Sequence, residues 1–116
     1  MINILKINGH KAIIKYDPEI DSFRGEFVGL NGGADFYATN IEGLKKEGRV
    51  SLKTYLDMCK EEHIQPYKEY SGRFNLRVPP GLHAEIAVRA ASEGKSLNQF
   101  VADLLGETIQ GENSSP

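Results

Sequence analysis

The sequence predicts an α+β chain of two modules, three strands followed by a helix and then one strand followed by two helices. Three observations carry this expectation. Short strand-like runs between turn signals occur up to residue 38, and apolar positions at three- and four-residue steps follow from residue 41. A lone alternating stretch then returns at 73–78, ahead of two further helical patterns. A length of 116 residues is a soft prior for one domain, but it holds two small ones if dimerisation completes the second.

In the first module, residues 12–16 and 23–30 flank a polar turn segment containing Pro18 and read as a hairpin. Asn31-Gly32-Gly33 is a second turn signal, after which residues 35–38 form the third strand. Thr39 stands three residues before Glu42, the spacing at which a capping hydroxyl and a reaching carboxylate start a helix. Ile41, Leu44, Leu52, Tyr55, Leu56 and Cys59 give that helix one apolar face for packing on the sheet. Gly43 and Gly48 weaken it, by roughly 1 kcal/mol each relative to alanine. It ends near His63, because Pro66 disfavours continuation. Linker-like composition begins at residue 64, which sets a first domain at 1–66 and a linker at 67–72.

In the second module, Arg73-Phe74-Asn75-Leu76-Arg77-Val78 alternates polar and apolar residues until Pro79 and Pro80 stop the strand. A helix over residues 81–92 follows, with Leu82, Ile86, Ala87 and Ala90 on one stripe and Gly94 placed for a left-handed terminus. Ser96 and Gln99 repeat the capping-box spacing, and Leu97, Val101, Leu104 and Leu105 supply the apolar face of the last helix. This domain spans 73–105. Residues 106–116, rich in Gly, Glu, Asn and Ser, read as a flexible tail.

Composition narrows the class. With 26% charged and 40% apolar residues, the chain fits a globular protein rather than a collagen-like or disordered one. No window resembles a membrane span, and polar residues interrupt residues 1–8 too early for a signal sequence, so a cytoplasmic location is expected. One cysteine permits no internal disulfide and no repeated-cysteine zinc site. A net charge of -2 argues against a binder held to nucleic acid by excess positive charge alone. Over residues 71–105, however, Arg73, Arg77, Arg89 and Lys95 outnumber Glu85, Glu93 and Asp103.

One strand and two short helices, about 35 residues, bury too little surface to fold alone. A symmetric homodimer resolves this. Two copies of the strand pair antiparallel, Phe74, Leu76 and Val78 face the helices with Ile86, Val101 and Leu104 in the dimer core, and Arg73, Asn75 and Arg77 point outward. A two-stranded ribbon fits the DNA major groove, where arginine grips guanine and asparagine grips adenine in bidentate fashion. The first N–H groups of the last helix, at Ser96, Leu97 and Asn98, suit a DNA phosphate. Two-fold symmetry predicts inverted repeats in the operator DNA.

The segments Arg73-Phe74-Asn75-Leu76-Arg77-Val78-Pro79 and Gly94-Lys95-Ser96-Leu97-Asn98-Gln99 resemble ribbon-helix-helix repressors of the Arc type, and especially the C-terminal domain of HicB-family antitoxins. The hairpin of residues 11–16 and 23–30, the Phe36 strand, Thr39, and Tyr55-Leu56 with Cys59 resemble the HicB N-terminal domain, a partial RNase H-like fold in that family. Two residues depart from the pattern. Gly48 stands where relatives carry a large apolar residue, and Ala38 where they commonly have glycine. The resemblance implies a type II toxin-antitoxin pair in which the first domain neutralises a HicA-type mRNA interferase toxin and the C-terminal dimer represses the shared operon. Assembly of the homodimer into a tetramer is left open. The alternative is a stand-alone ribbon-helix-helix regulator whose first domain senses a ligand or another protein.

Other chemistries find less support. Asp17, Glu19 and Asp21 invite a calcium loop, but Pro18 is unsuitable and Ser22 replaces the required turn glycine. His10, His63 and His83 share no metal-ligand spacing, and surface or cap roles are expected of them. Cys59, on the apolar helix face, reads as a buried structural thiol. An RNase H-like fold raises a nuclease reading, yet Asp17, Glu26 and Asp35 form no convincing carboxylate cluster, so no catalytic residue, metal or cofactor is expected.

Overall fold

The computed structural model describes residues 3–113 and divides the chain into two compact units, Met1–Ser71 and Gly72–Pro116. The first is a four-stranded antiparallel meander in the order β1-β2-β3-β4, formed by β1 (Ile4–Ile7), β2 (His10–Asp17), β3 (Ser22–Phe27) and β4 (Asp35–Ala38), with helix α1 (Ile41–Glu62) packed on it. The second contains α2 (Pro80–Ser92) and α3 (Leu97–Asn113). The α+β class therefore holds, with one strand more than expected in the first unit.

That extra strand, β1, is joined to β2 by Asn8-Gly9, both at positive φ (49° and 81°), and pairs Ile7 with His10 across the turn. Asn-Gly is the preferred pair for a two-residue hairpin turn, because both central residues must take positive φ to match the strand twist. β2 and β3 pair from Ala12↔Phe27 to Asp17↔Ser22, and β3 and β4 from Phe23↔Ala38 to Glu26↔Asp35. Strand alternation sends Ile7, Ala12, Phe27 and Phe36 to one face. There they form a core with Leu44, Leu52, Tyr55 and Cys59, which recur at helical spacing along α1.

Helix α1 is capped by Asn40 rather than Thr39. The Asn40 side chain accepts a 2.7 Å hydrogen bond from the Gly43 N–H, filling the acceptor role expected of the threonine. Its end is as expected. His63 adopts a left-handed conformation (φ 55°), and the next N–H, of Ile64, reaches back to the Cys59 carbonyl at 2.9 Å.

Part of the expected linker is structural. Lys68 N–H donates to Gly29 O at 2.9 Å, Asn31 N–H donates to Pro66 O at 3.0 Å, and Leu30 and Tyr67 form an antiparallel bridge. The Asn31 side-chain amide donates to the carbonyls of Gln65 and Tyr67, at 2.8 and 3.1 Å. Tyr55 hydroxyl donates to Pro66 O at 2.8 Å and accepts from Gly32 N–H at 3.1 Å. Residues 65–68 thus continue the first unit as a strap over the end of β3. The cause is the positive-φ Gly29, which turns the chain out of β3 and presents the 29–31 backbone to the strap.

Residues 73–78 form no strand within the single chain. The helical expectations of the second unit agree closely with α2 and the start of α3, and Gly94 takes the left-handed conformation (φ 69°). α3, however, runs on to Asn113, so residues 106–113 of the expected tail are helical. The final residues, 114–116, lie outside the described ones. Among the described residues no helix is long and apolar enough to cross a membrane.

Candidate nucleic-acid interface

The candidate interface is built on the 73–79 segment and the corner between α2 and α3. Arg73, Asn75 and Arg77 are exposed, as are the intervening Phe74 (75%) and Leu76 (64%), while Val78 is half-buried. Pro79 precedes the first helical residue, Pro80, whose ring presets helical φ and whose missing N–H costs nothing at a helix start. The double proline therefore ends the segment and begins α2 at a fixed place.

The expected dimer-core residues do not form a core in the protomer. Ile86 and Val101 are half-buried and Leu104 is exposed, and Ala90 is the one buried apolar residue found among the described residues of the second unit. Val88, which is outside the expected helix stripe, is exposed as well (64%). A single buried alanine cannot offset the ordering of a unit this size, since each fixed residue costs on the order of 1–2 kcal/mol in backbone entropy alone.

At the α2–α3 corner, Lys95 N–H donates to Ala90 O at 2.9 Å. The Lys95 ammonium reaches the Asp103 carboxylate at 2.8 Å and Glu93 at 3.7 Å. The hydrogen bond from Lys95, with a second from Gln99 at 2.6 Å, holds the Asp103 carboxyl below its ordinary range. Lys95 is raised for the reciprocal reason. The clamp fixes the start of α3, where Ser96 Oγ accepts from Gln99 N–H at 3.1 Å. The capping box is thus half-made, because the Gln99 amide turns to Asp103. Sequence reasoning missed the clamp. Its signal was a lysine eight residues before an aspartate, with a helix start between them.

Leu97 and Asn98 lie in the first turn of α3, where backbone N–H groups have no carbonyl one turn earlier in the helix to bond. Ser96, by contrast, precedes the helix and serves it through its hydroxyl and its carbonyl, the latter accepting from Phe100 N–H at 2.9 Å.

In the first unit, Glu26 and Asp35 both meet the Arg24 guanidinium, at 3.4 and 2.5 Å, on the face of the sheet away from α1. Asp17 instead accepts from Glu19 N–H in the hairpin turn at 3.0 Å. Two of the three carboxylates weighed for a nuclease site are thus committed to an arginine, and no group of three His, Cys, Asp or Glu residues among the described ones is arranged to hold a metal. A groove of about 680 Å³ runs between β4 and α1, lined by Phe36, Tyr37, Val50, Thr54 and Met58 among others.

Comparison with known families finds a match to the HicB family over residues 55–105. The matched stretch takes in the last two turns of α1, the strap, the 73–79 segment, α2 and the first half of α3. No curated protein and no solved structure matched.

Proposed function

We propose that this chain is the antitoxin of a type II toxin-antitoxin pair, with a C-terminal ribbon-helix-helix dimer that represses its own operon. The observation that carries the proposal is the HicB-family match across the 73–79 segment, where alternating Arg73, Asn75 and Arg77 flank exposed Phe74 and Leu76. Pairing of two such segments would bury the two apolar side chains against α2 and α3 and leave the polar ones outward for base edges in the major groove. Leu97 and Asn98 at the start of α3 then suit a DNA phosphate, with Ser96 as the cap. The first unit takes the HicA-type toxin, a role that rests on the family alone.

The DNA reading is tested with Asn75→Ala and Arg77→Ala on an operator carrying inverted repeats. Each variant removes two identical contacts from a dimer, at about 1–3 kcal/mol per bidentate pair. Binding should fall by at least about tenfold with the fold unchanged by circular dichroism. Unchanged affinity in both variants would sink the ribbon reading. The antitoxin reading is tested by expressing the adjacent small reading frame with and without this chain. Growth arrest that this chain relieves supports it, whereas an absence of toxicity favours a stand-alone regulator.

A further inference from the structure

We infer that α3 beyond residue 105 is part of the dimer, its exposed Ile109 packing against a second copy of the chain. The inference rests on the homodimer reading above and extends it past the stretch that matches the family, which ends at residue 105. Helix α3 continues for two further turns, to Asn113. Val101, Leu105 and Ile109 follow at four-residue steps and so form one line along the helix. Exposure rises along it, from half-buried Val101 through Leu105 (45%) to Ile109 (57%). Val101 itself belongs to the proposed dimer core, so the line leads continuously out of that interface.

Local preference does not account for this extension. Gly106 and Gly111 each cost about 1 kcal/mol relative to alanine in a helix, and β-branched Thr108 and Ile109 add smaller penalties. Neither glycine is explained by crowding, since a Cβ at either position would meet nothing within 4 Å. The Thr108 hydroxyl bonds back to the Leu104 carbonyl at 2.9 Å, a local bond that slightly weakens helices rather than supporting them. Among the described elements, α2 is the one that α3 packs on. A helical end this poor in intrinsic stability needs tertiary contact along its apolar line. A second copy fits that need. In a two-fold dimer both α3 helices enter the same assembly, and helical periodicity puts Glu107, the one charged residue between Leu104 and Gly111, on the side away from the line.

The test uses the full chain and measures the dimer dissociation constant by sedimentation equilibrium for the parent, Ile109→Ala and Ile109→Leu. Alanine is the better helix former, so loss of dimer in Ile109→Ala reports lost packing rather than a weakened helix. The expected result is a constant raised about tenfold in Ile109→Ala and near the parent value in Ile109→Leu. An Ile109→Ala dimer as tight as the parent overturns the inference and leaves the homodimer reading intact. Equal weakening in Ile109→Leu also overturns it, because apolar bulk would then not be what matters. A parent chain that stays monomeric at all concentrations removes the homodimer reading itself.

Discussion

At the residue scale, Phe36 explains two glycines that look like weaknesses in the sequence. Its ring is buried in β4, directly across the ladder from Gly25 in β3. A Cβ on Gly25 would collide with that ring, and a Cβ on Gly48 would meet it at 3.3 Å and collide with the Ile7 Cδ1. Phe36 is therefore seated between a bare strand position and a bare helix position, with Ile7 filling the remaining gap. Read from sequence alone, Gly48 shows only its helix cost and its departure from the family pattern. Its benefit depends on β1, whose Ile7 supplies apolar volume at that point. Gly48→Ala should consequently destabilise the first unit by about 1 kcal/mol, the overpacking cost exceeding the gain in helix propensity. Adding Ile7→Val should recover most of that loss, as read from urea unfolding. A more stable Gly48→Ala single variant would contradict this account.

At the element scale, the strap of residues 65–68 shows how side-chain hydrogen bonds recruit a segment whose composition suggests a linker. Tyr55 is buried in α1, yet its hydroxyl joins the Gly32 turn to the Pro66 carbonyl. Burial and the nearby Cys59 raise its pKa further above neutrality, where a tyrosine hydroxyl is already protonated and able to donate. His10 stacks on Tyr67 with ring centres 5.4 Å apart, adding an aromatic contact from β2. Tyr55→Phe leaves the Gly32 N–H and the Pro66 carbonyl without this partner, at a cost of about 1–3 kcal/mol. Hydrogen exchange at the Lys68 amide should then quicken more than at the Ile14 amide, which is bonded to Asn3 within the β1–β2 hairpin. Equal acceleration at both sites would mean that Tyr55 supports the whole unit rather than the strap.

At the scale of the whole molecule, the two units differ in how their apolar residues are used. The first has a contiguous buried core. The second leaves Phe74, Leu76, Leu82, Val88 and Leu104 exposed in the protomer. A unit completed by a second copy gains stability with protein concentration by mass action, and one with its own core does not. Heating the full chain should therefore give two transitions, of which only one moves upward as concentration rises. The Phe74→Glu variant should lower that transition and spare the other. A single transition independent of concentration would count against a dimeric second unit.

Much was legible because it is written in local chemistry. Proline at 79 and 80, Gly94 and the Ser96 cap mark the ends of α2 and the start of α3, and the period of residues 35–38 marks β4, because turn and cap geometry depends on neighbouring residues only. Asn8-Gly9 carried the same kind of signal for β1 and could have been read. The strap, the half-made capping box and the seat of Phe36 were not legible in this way. Each depends on a meeting between residues distant in sequence, or on which of two competing partners a side chain finds. The α+β class, the order of the helices and the alternation of Arg73, Asn75 and Arg77 with apolar residues could all be read from the sequence. Where the first unit ends and why it tolerates glycine in α1 were settled by the fold, because packing and long-range hydrogen bonds override local propensity there, and the run of α3 past residue 105 is likewise seen in the structure alone.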